Sequence, residues 1–504
     1  MATWNEIVFS DPSRLTSLLS DLAVDPTTPP RTYRRLQAIW GRRVEDGIEL
    51  SYLASSEARE PYRLWRLLVP PGVSVPSLAL LIPSAGSYER EISDLYGVEF
   101  EGAPDTRRFV LHEGARVPAA FLERQSQYST PFEFASTALT MPTVGDANLQ
   151  QLRFGPVRAD VVESASFQFS YAGEGIVHLE TRLFYKHRGM ETRFEGKLPH
   201  QGAPLAERVS GIDSAAHAFA FALACEDALE ISVPKRAQQL RALLAELERL
   251  YNHLQYFGLL SKLTTLKVAD AEGHYLGELA KQLNARLTGS RFLRGLIVPG
   301  GLRRDLDTDG LKEELAELEE RARTYLNALS GTRSYLDRLE TTGVLGTQMA
   351  LAQGATGPIE RASGLDRDLR RDHPYSGYGD LQFIVPDASA GDARARALIR
   401  EYEIFASFAI IGQLANQLVD GPVMADSNRT GIPDAVEGLG WVEATRGTLI
   451  YAVYLDHGKL SRVKIKEPSF SNWRVFPYTV DGTNMMDYAI NEASFGLSLA
   501  GNDR

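Results

Sequence analysis

Two long stretches of the chain carry apolar residues at helical spacing, and this pattern constrains the fold more than any other. In both stretches the apolar residues recur every three or four positions. They are Leu240, Leu244, Leu247, Tyr251 and Leu254 in the first stretch, and Leu311, Leu315, Leu318, Ala322, Tyr325 and Leu329 in the second. Pro234 suits the start of the first helix, because the N–H that proline lacks would have no partner there. The spacing predicts two long helices, each with one buried stripe.

Shorter segments read as strands. Residues 49–54 and 62–69 alternate as half-buried strands do, and Pro70-Pro71-Gly72 ends the second. Residues 153–162 and 175–185 are also predicted to be strands, with a turn over 172–175. The runs 449–455 and 462–465, joined by the turn 456–459, predict a β-hairpin.

Changes in character along the chain suggest three parts. We expect a compact α+β domain over 1–112, which includes a charged helix near 88–96. Residues 113–150 lack periodicity and are rich in Gly, Pro and Ser, so they are predicted to form a linker. Residues 151–504 form the larger domain, with strands at its start, long helices, the hairpin and a helical stretch from Met485.

Charge and cysteine content exclude several classes of function. The 504 residues carry a net charge of −11, which argues against nucleic acid as a partner. Cys225 is the single cysteine, so this chain alone can form neither an internal disulfide nor a site rich in thiolates. No apolar run reaches the ~18 residues of a spanning helix, and the start does not resemble a signal peptide. We therefore expect a cytoplasmic protein.

General catalytic motifs do not assign an activity. The sequence has no G-x-x-x-x-G-K-[ST] phosphate loop, no H-E-x-x-H and no C-x-x-C, and its nine histidines are scattered singly. A lone histidine is more often a satisfied polar group than a metal ligand. Without further signals, the chain would be a multi-helix protein of unknown activity.

The first specific signal is a charged run near residue 90. It consists of Glu89-Arg90-Glu91-Ile92-Ser93-Asp94-Leu95-Tyr96-Gly97-Val98-Glu99-Phe100, followed by Pro104-Asp105 and Arg107-Arg108. This run resembles the signature of the small peripheral-arm subunit of respiratory complex I. The resemblance implies a docking surface formed by Glu89, Arg90, Glu91, Asp94, Gly97, Arg107 and Arg108. The alternative is a solvated face whose ion pairs each contribute ~0–1 kcal/mol.

A second set of motifs lies in order across the rest of the chain. The motifs are Gly155-Pro156-Val157-Arg158, the runs 208–217, 246–254, 361–364 and 374–378, Gly421-Pro422-Val423, and the runs 443–447 and 462–470. They resemble the large peripheral subunit of complex I, which is related to the [NiFe] hydrogenase large subunit. A fusion of both subunits is similar to the fused C/D-type subunit of some bacterial complex I enzymes and to the large subunit of formate hydrogenlyase.

This resemblance implies an α+β fold: a small N-terminal α+β domain, then a mainly helical hydrogenase-like domain with small β-sheets. It also implies a place on the inner face of the cell membrane, held there by other subunits. The implied partners are an iron–sulfur subunit and antiporter-like membrane subunits. No cofactor is expected on this chain itself, whereas an iron–sulfur cluster is expected in a partner.

The chain departs from the hydrogenases at their metal ligands. The positions that match the four ligand cysteines hold Ser210, Asp213, Ser498 and Gly501. A nickel–iron centre needs soft sulfur ligands, which these residues cannot replace. The sequence therefore predicts no metal site and no [NiFe] hydrogenase activity.

The quinone anchors of complex I also differ. Phe154, before Gly155, stands where the family has a histidine, and Leu205 stands where it has a tyrosine. A quinone carbonyl needs a hydrogen-bond donor, which the side chains of Phe154 and Leu205 do not have. A polar atom left unpaired in a dry pocket costs ~1–3 kcal/mol.

Polar residues nevertheless remain around the former metal site. Arg208, Asp213 and His217 are the candidate catalytic residues, and Asp213 and His217 share one face of a helix by their spacing. Phe154, Gly155, His187, Leu205, Ser210, Ser498 and Asp503 are predicted to line the cavity. This group could relay protons or bind an acceptor, and the alternative is a relic cavity filled by ion pairs.

The leading hypothesis is a subunit that lines a cavity beside a partner's iron–sulfur cluster and couples electron transfer to membrane ion-translocating subunits. One rival is a quinone-reducing subunit of the NADH dehydrogenase type, with His217, Asp213 and Arg208 as donors. A non-catalytic scaffold for membrane subunits is the second rival, and a reductase of a sulfur species is the third.

Overall fold

The computed structural model describes residues 4–23, 34–55, 58–112, 115–116, 133–134, 145, 148–159, 163–426 and 434–504. The strands are β1 Trp4–Phe9, β2 Arg35–Val44, β3 Gly47–Ser55, β4 Tyr62–Val69, β5 Val75–Pro76, β6 Phe100–Glu101, β7 Ala115–Arg116, β8 Glu133–Phe134, β9 Gln150–Phe154, β10 Ser166–Ala172, β11 Gly175–Arg182, β12 Ile297–Val298, β13 Gly301–Leu302, β14 Ala435–Ala444, β15 Gly447–Asp456 and β16 Lys459–Lys466. They form small sheets, of which the four-stranded sheet β1-β4-β3-β2 is the largest in these parts of the chain.

Helices make up most of the second half of the chain. They are α1 Leu15–Leu18, α2 Ala85–Tyr96, α3 Met190–Arg193, α4 Pro199–Ala206, α5 Ser214–Ala228, α6 Lys235–Leu263, α7 Lys267–Thr288, α8 Leu311–Ser330, α9 Arg333–Leu339, α10 Thr347–Ala352, α11 Pro358–Ala362, α12 Leu369–Asp372, α13 Ala393–Gln417, α14 Pro468–Val475, α15 Tyr488–Phe495 and α16 Leu499–Asp503. The predicted α+β class is confirmed, as are the two long helices, α6 and α8.

The N-terminal sheet packs against the rest of the chain. Trp40 on β2 donates its indole N–H to the Tyr454 hydroxyl at 2.9 Å, and the Tyr88 and Phe470 rings lie 5.0 Å apart. One continuous apolar core runs from Phe9 to Leu499. The division at 112 and 151 stays a prediction, because most of the predicted linker lies outside the described residues.

Two predicted strands end earlier than expected. Strand β9 stops at Phe154, so the prediction of a strand over 153–162 is wrong for the described residues 155–159. Gly155 adopts φ +101°, and a Cβ there would lie 2.1 Å from the Ala165 carbonyl oxygen, so the chain turns at this point. Strand β11 ends at Arg182 rather than at 185.

The C-terminal sheet has three strands rather than the predicted two. The hairpin β15–β16 turns at residues 456–459 as expected, and β14 adds a strand beside β15. Gly438 and Gly440 on β14 let helix α5 approach closely, since a Cβ on Gly440 would lie 2.2 Å from the Ala220 carbonyl oxygen. This contact fixes the helix that carries the candidate site.

Candidate functional site

Helix α5 begins at the centre of the candidate site. Asp213 precedes its first residue, Ser214. The Glu248 carboxylate, from α6, accepts hydrogen bonds from the backbone N–H groups of Ala215 and Ala216, both at 2.8 Å. A carboxylate is favourable at a helix N-terminus, so Glu248 anchors the start of α5.

The turn between β14 and β15 supplies the partners of Asp213. Arg446 donates to one oxygen of Asp213 at 2.8 Å, and the Thr445 hydroxyl donates to the other. Asp213 is 1% exposed, so this ion pair is buried. Arg446 also donates to the Gly496 carbonyl oxygen at 2.5 Å, which ties the pair to the C-terminal segment.

His217 is fully buried one turn into α5. Its Nδ1 lies 2.8 Å from the Tyr451 hydroxyl, whereas its Nε2 has no hydrogen-bond partner in the described part of the chain. Burial lowers the pKa of His217 to about 4, although the charge of Asp213 acts in the opposite direction. The imidazole is therefore neutral near pH 7, with one nitrogen available.

Two buried glutamates beside Asp213 have raised pKa values. Burial raises the pKa of Glu248 to about 8, and the charge of Asp213 adds to this shift. The same two causes raise the pKa of Glu467 to about 8, whereas Arg446 acts in the opposite direction. We call Asp213, His217, Glu248, Arg446 and Glu467 the Asp213 cluster. Glu248 and Glu467 can therefore hold protons near neutral pH.

The C-terminal segment joins this cluster. A Cβ on Gly501 would lie 2.5 Å from Glu467 Oε1. Ser498 caps α16 by accepting from the Gly501 N–H at 2.9 Å, and its own N–H donates to the Ser469 hydroxyl at 3.1 Å. Residues 498 and 501 thus lie against Glu467 and its neighbour Ser469.

Arg188 connects the segment before α5 with the C-terminal segment of the chain. Its guanidinium donates to the carbonyl oxygens of Val209 at 2.6 Å and Ala500 at 3.0 Å. Ser210, next to Val209, is fully buried. The Ser210 hydroxyl has no hydrogen-bond partner among the residues that the structure describes. Ser210, Asp213, Ser498 and Gly501 are therefore all buried, and the chain segments that carry them are tied together. Their match to the hydrogenase ligands stays a prediction.

Asp503 and His187 hold a neighbouring turn. The Asp503 carboxylate accepts from the backbone N–H groups of Phe184 at 2.9 Å and Lys186 at 2.7 Å. Burial raises its pKa to about 6. His187 Nδ1 lies 2.7 Å from the Asp503 carbonyl oxygen. These contacts position the 184–188 turn and thereby Arg188.

Other predicted residues lie outside the Asp213 cluster. The Arg208 side chain is 55% exposed and pairs with Glu207 at 3.3 Å. The structure therefore does not place it in the buried cluster with Asp213 and His217, as the sequence predicted. Phe154 is 39% exposed, with the Arg158 guanidinium 5.4 Å from its ring centroid. Leu205 is half-buried on α4. Roles for Phe154, Gly155 and Leu205 in a quinone cavity stay predictions.

The acidic residues of the charged run near residue 90 face inward. Glu89 accepts from the Leu78 N–H at 2.7 Å and the Ser77 hydroxyl at 2.6 Å. Asp94 Oδ2 accepts from three consecutive N–H groups, those of residues 109–111, at 2.8–3.0 Å. Glu91 pairs with Lys464 at 2.5 Å and with Arg504 at 3.1 Å. These carboxylates bind other parts of this chain, and their part in a docking surface stays a prediction.

The remaining residues of that run lie nearer the surface. Arg90 pairs with Asp105 at 2.9 Å, and Gly97 ends α2 in the left-handed conformation at φ 74°. Arg107 pairs with Glu180 at 2.9 Å. The Arg107 and Arg108 side chains are 45% and 44% exposed. For these two arginines, docking of a partner stays a prediction.

Sequence reasoning gave no role to Glu248, Arg446 and Glu467. All three lie inside the family motifs, and this position was the one sign in the sequence that they could matter.

Cys225 is fully buried on α5. Among the described residues, no group of three or more His, Cys, Asp or Glu is placed to hold a metal ion.

Comparisons with known proteins agree with the two resemblances. Residues 8–120 match the sequence model of the "Respiratory-chain NADH dehydrogenase, 30 Kd subunit", and residues 277–440 and 434–504 match that of the 49 Kd subunit. Residues 188–290 match that of nickel-dependent hydrogenase. Formate hydrogenlyase subunit 5 of Escherichia coli is 32% identical over 82% of this chain and 74% of its own length. The chain belongs to the family of complex I and hydrogenase-related large subunits.

Other members of this family share most of the length. The fused C/D-type subunit of the NADH-quinone oxidoreductase of Cereibacter sphaeroides is 29% identical over 85% of this chain and 82% of its own. A chain of the archaeal membrane-bound sulfane sulfur reductase is 27% identical, with a TM-score of 0.67 over 72% of this chain and all of its own. In the described part of our chain, no helix combines the length and apolar character needed to cross a bilayer.

Proposed function

We propose that this chain is a peripheral-arm subunit of a membrane-bound redox complex of the complex I or formate hydrogenlyase type. It lines a cavity beside a partner's iron–sulfur cluster and couples electron transfer to membrane ion-translocating subunits, without [NiFe] hydrogenase activity. Its relatives carry the names of such complexes. The proposed partners are an iron–sulfur subunit and antiporter-like membrane subunits, which hold the chain on the inner face of the membrane.

The observation that carries this proposal is what occupies the former metal site. The chain has one cysteine, Cys225, and it lies within helix α5 rather than at any of the four matching positions. Instead, Asp213, Glu248 and Glu467 are buried near Arg446, and burial together with the charge of Asp213 raises the pKa values of the two glutamates to about 8. Such a site can accept or release protons when a nearby cluster changes its charge. It lacks the soft ligands that hold nickel and iron.

Two acceptors are each favoured by a specific observation. Reduction of a sulfur species is favoured by the structural similarity to the sulfane sulfur reductase. Quinone reduction is favoured by His217 Nε2, which is buried without a partner among the described residues and could donate to a carbonyl group. The sequence predicted Arg208 as one of the donors to the quinone. The present proposal leaves Arg208 out, because its side chain is 55% exposed.

The test uses the intact complex, purified from its host membranes through a tag on this chain. Reduced viologen supplies electrons, and a quinone analogue, polysulfide or protons serve as acceptor. We expect turnover with the quinone analogue or with polysulfide and no hydrogen evolution. Asp213→Asn and His217→Gln should lower kcat by about tenfold or more while the complex stays assembled. The control is Arg333→Gln, whose side chain is 87% exposed.

Two results would contradict the proposal. Hydrogen evolution that depends on this chain would contradict the loss of hydrogenase activity. Unchanged turnover in both variants, with all subunits present, would show that the cavity takes no part and would favour the scaffold.

A further inference from the structure

A cavity outside the Asp213 cluster has no part in the proposed reaction. Its volume is about 830 Å³. The walls come from the loop 107–109, from β11 and the residues after it, and from α14 with the turn that follows. No member of the Asp213 cluster lines it. The size is that of pockets that bind small organic molecules.

The cavity is basic, although the chain as a whole is acidic. Five arginines line it, against two carboxylates, Glu180 and Asp481. Three of the five are also paired with carboxylates outside the lining, Arg90 and Arg107 with Asp105 and Arg108 with Asp94. The arginines are Arg90, Arg107, Arg108, Arg182 and Arg474. A concentration of guanidinium groups in a cavity attracts anions, and guanidinium binds phosphate and carboxylate well.

Arg474 carries most of this argument. It donates to the carbonyl oxygens of Gln353 at 2.8 Å and Ser84 at 2.7 Å. No carboxylate of the described residues lies within ion-pair distance of it, and burial lowers its pKa. Arginine nevertheless stays protonated in proteins. Arg474 is thus a half-buried cation held by carbonyl oxygens and by the rings of Tyr88 and Phe470, and an anion that binds beside it would stabilise it.

Trp473 forms part of the wall beside Arg474. It lines the same cavity and is 4% exposed. Its indole N–H has no acceptor within the part of the chain that the structure describes. This N–H is itself inaccessible to solvent, so the indole contributes its apolar ring, and not its donor, to the cavity wall.

The rest of the wall is apolar. Phe109, Phe184, Phe470 and Met349 line the cavity beside Trp473. A lone inorganic anion would leave this apolar surface exposed to water, whereas a ligand with an apolar or aromatic part would cover it.

We propose that this cavity binds an amphiphilic phosphate ester, with its phosphate at Arg108 and Arg474 and its apolar part against Phe470 and Trp473. Two sources have this chemistry. One is the headgroup region of an anionic phospholipid, and the other is a soluble nucleotide, whose base would stack on the aromatic wall.

The experiment titrates the full-length chain and follows both tryptophan fluorescence and heat. The probes are dihexanoyl phosphatidylglycerol, dihexanoyl phosphatidylcholine as its zwitterionic match, ADP, and inorganic phosphate. Arg108→Gln and Arg474→Gln should each weaken binding by about tenfold. The matched control is Arg333→Gln, an exposed arginine outside the cavity. Circular dichroism confirms that each variant is folded.

The outcomes separate the sources. Tighter binding of phosphatidylglycerol than of phosphatidylcholine, lost in the two arginine variants, supports the site and assigns it to lipid. Binding of ADP with the same dependence on the two arginines supports the site and assigns it to a nucleotide. Equal binding of both lipids without ADP binding overturns the proposal, as does binding of inorganic phosphate alone. Binding that Arg108→Gln and Arg474→Gln leave unchanged also overturns it. Arg108→Gln decides the matter if Arg474→Gln does not fold.

Discussion

The region around α2 and the Asp213 cluster both bury several charges, but they pair their polar atoms differently. Near α2, Asp94 accepts from three backbone N–H groups and Glu89 accepts from a backbone N–H and a hydroxyl. Around the Asp213 cluster, the Ser210 hydroxyl and His217 Nε2 have no partner among the described residues. Two carboxyl groups there have raised pKa values.

The difference indicates what each region is for. The oxygens of Asp94 and Glu89 are occupied by hydrogen bonds that stabilise one conformation, although Glu91 Oε2 on the same helix has no described partner and burial raises the pKa of Glu89. Unpaired polar atoms and raised carboxyl pKa values cost stability and are typical of functional sites. The acidic residues of α2 therefore mainly bind other parts of this chain, whereas the Asp213 cluster has features expected of a reaction site.

The largest effect is expected for Asp94→Ala. This change removes the acceptor of three N–H groups, and the free energy of unfolding should fall by about 3–5 kcal/mol. Urea denaturation of the full chain measures it. Asp105→Ala, which removes a partly exposed carboxylate, should cost about 1 kcal/mol or less. If both variants lost the same free energy of unfolding, the hydrogen bonds of Asp94 would stabilise the fold no more than a partly exposed ion pair does.

A smaller effect, with a defined sign, is expected for Glu467→Gln. The folded protein holds a proton on Glu467 up to about pH 8, whereas the unfolded chain loses it near the ordinary value of 4.5. The folded state thus binds more protons in this window, so this carboxyl group lowers stability as pH rises from about 4.5 to 8. As the pH rises from 5 to 8, the free energy of unfolding of Glu467→Gln should therefore increase by about 2–4 kcal/mol relative to that of the native chain.

Thermal and urea unfolding at several pH values measure this gain. Glu317→Gln, at a carboxylate whose side chain is 69% exposed, is the matched control and should show no such trend. A gain that is independent of pH would contradict the raised pKa of Glu467.

The smallest effect is expected for Ser210→Ala. The Ser210 hydroxyl has no described partner, so its loss should change the free energy of unfolding by less than about 0.5 kcal/mol. Ser214→Ala should cost about 1–2 kcal/mol, because the Ser214 hydroxyl donates to Glu207 O and accepts from Arg294 Nε, both at 3.0 Å. The reverse order would mean that Ser210 has a stabilising partner.

The sequence predicted the elements that repeat regularly and missed those that depend on distant contacts. The stripes of α6 and α8 follow from spacing alone. Strand β14 was missed because Gly438 and Gly440 are poor strand formers, and only their contact with α5 explains them. After the end of β9, Gly155 lies so close to the Ala165 carbonyl oxygen that no Cβ would fit, and this contact was not visible in the sequence.

The candidate site was predicted in part, for a similar reason. Asp213 and His217 were identified with their shared helix face, and the structure places both in the buried cluster. Arg446 and Glu467 are more than 200 residues away from them in sequence, so no local pattern links these pairs. Arg208 was misplaced because a motif gives the order of residues but not the direction in which a side chain points.

The central claim of the proposed function is that the buried Asp213 cluster, with its protonatable glutamates, stands where a [NiFe] hydrogenase would bind nickel and iron. The most direct measurement is the nickel content of the purified, catalytically active complex per copy of this chain, with a [NiFe] hydrogenase prepared in the same way as the positive control. The account predicts a nickel content near zero for the complex and about one for the control. One nickel per chain, lost together with activity in Asp213→Asn, would contradict it.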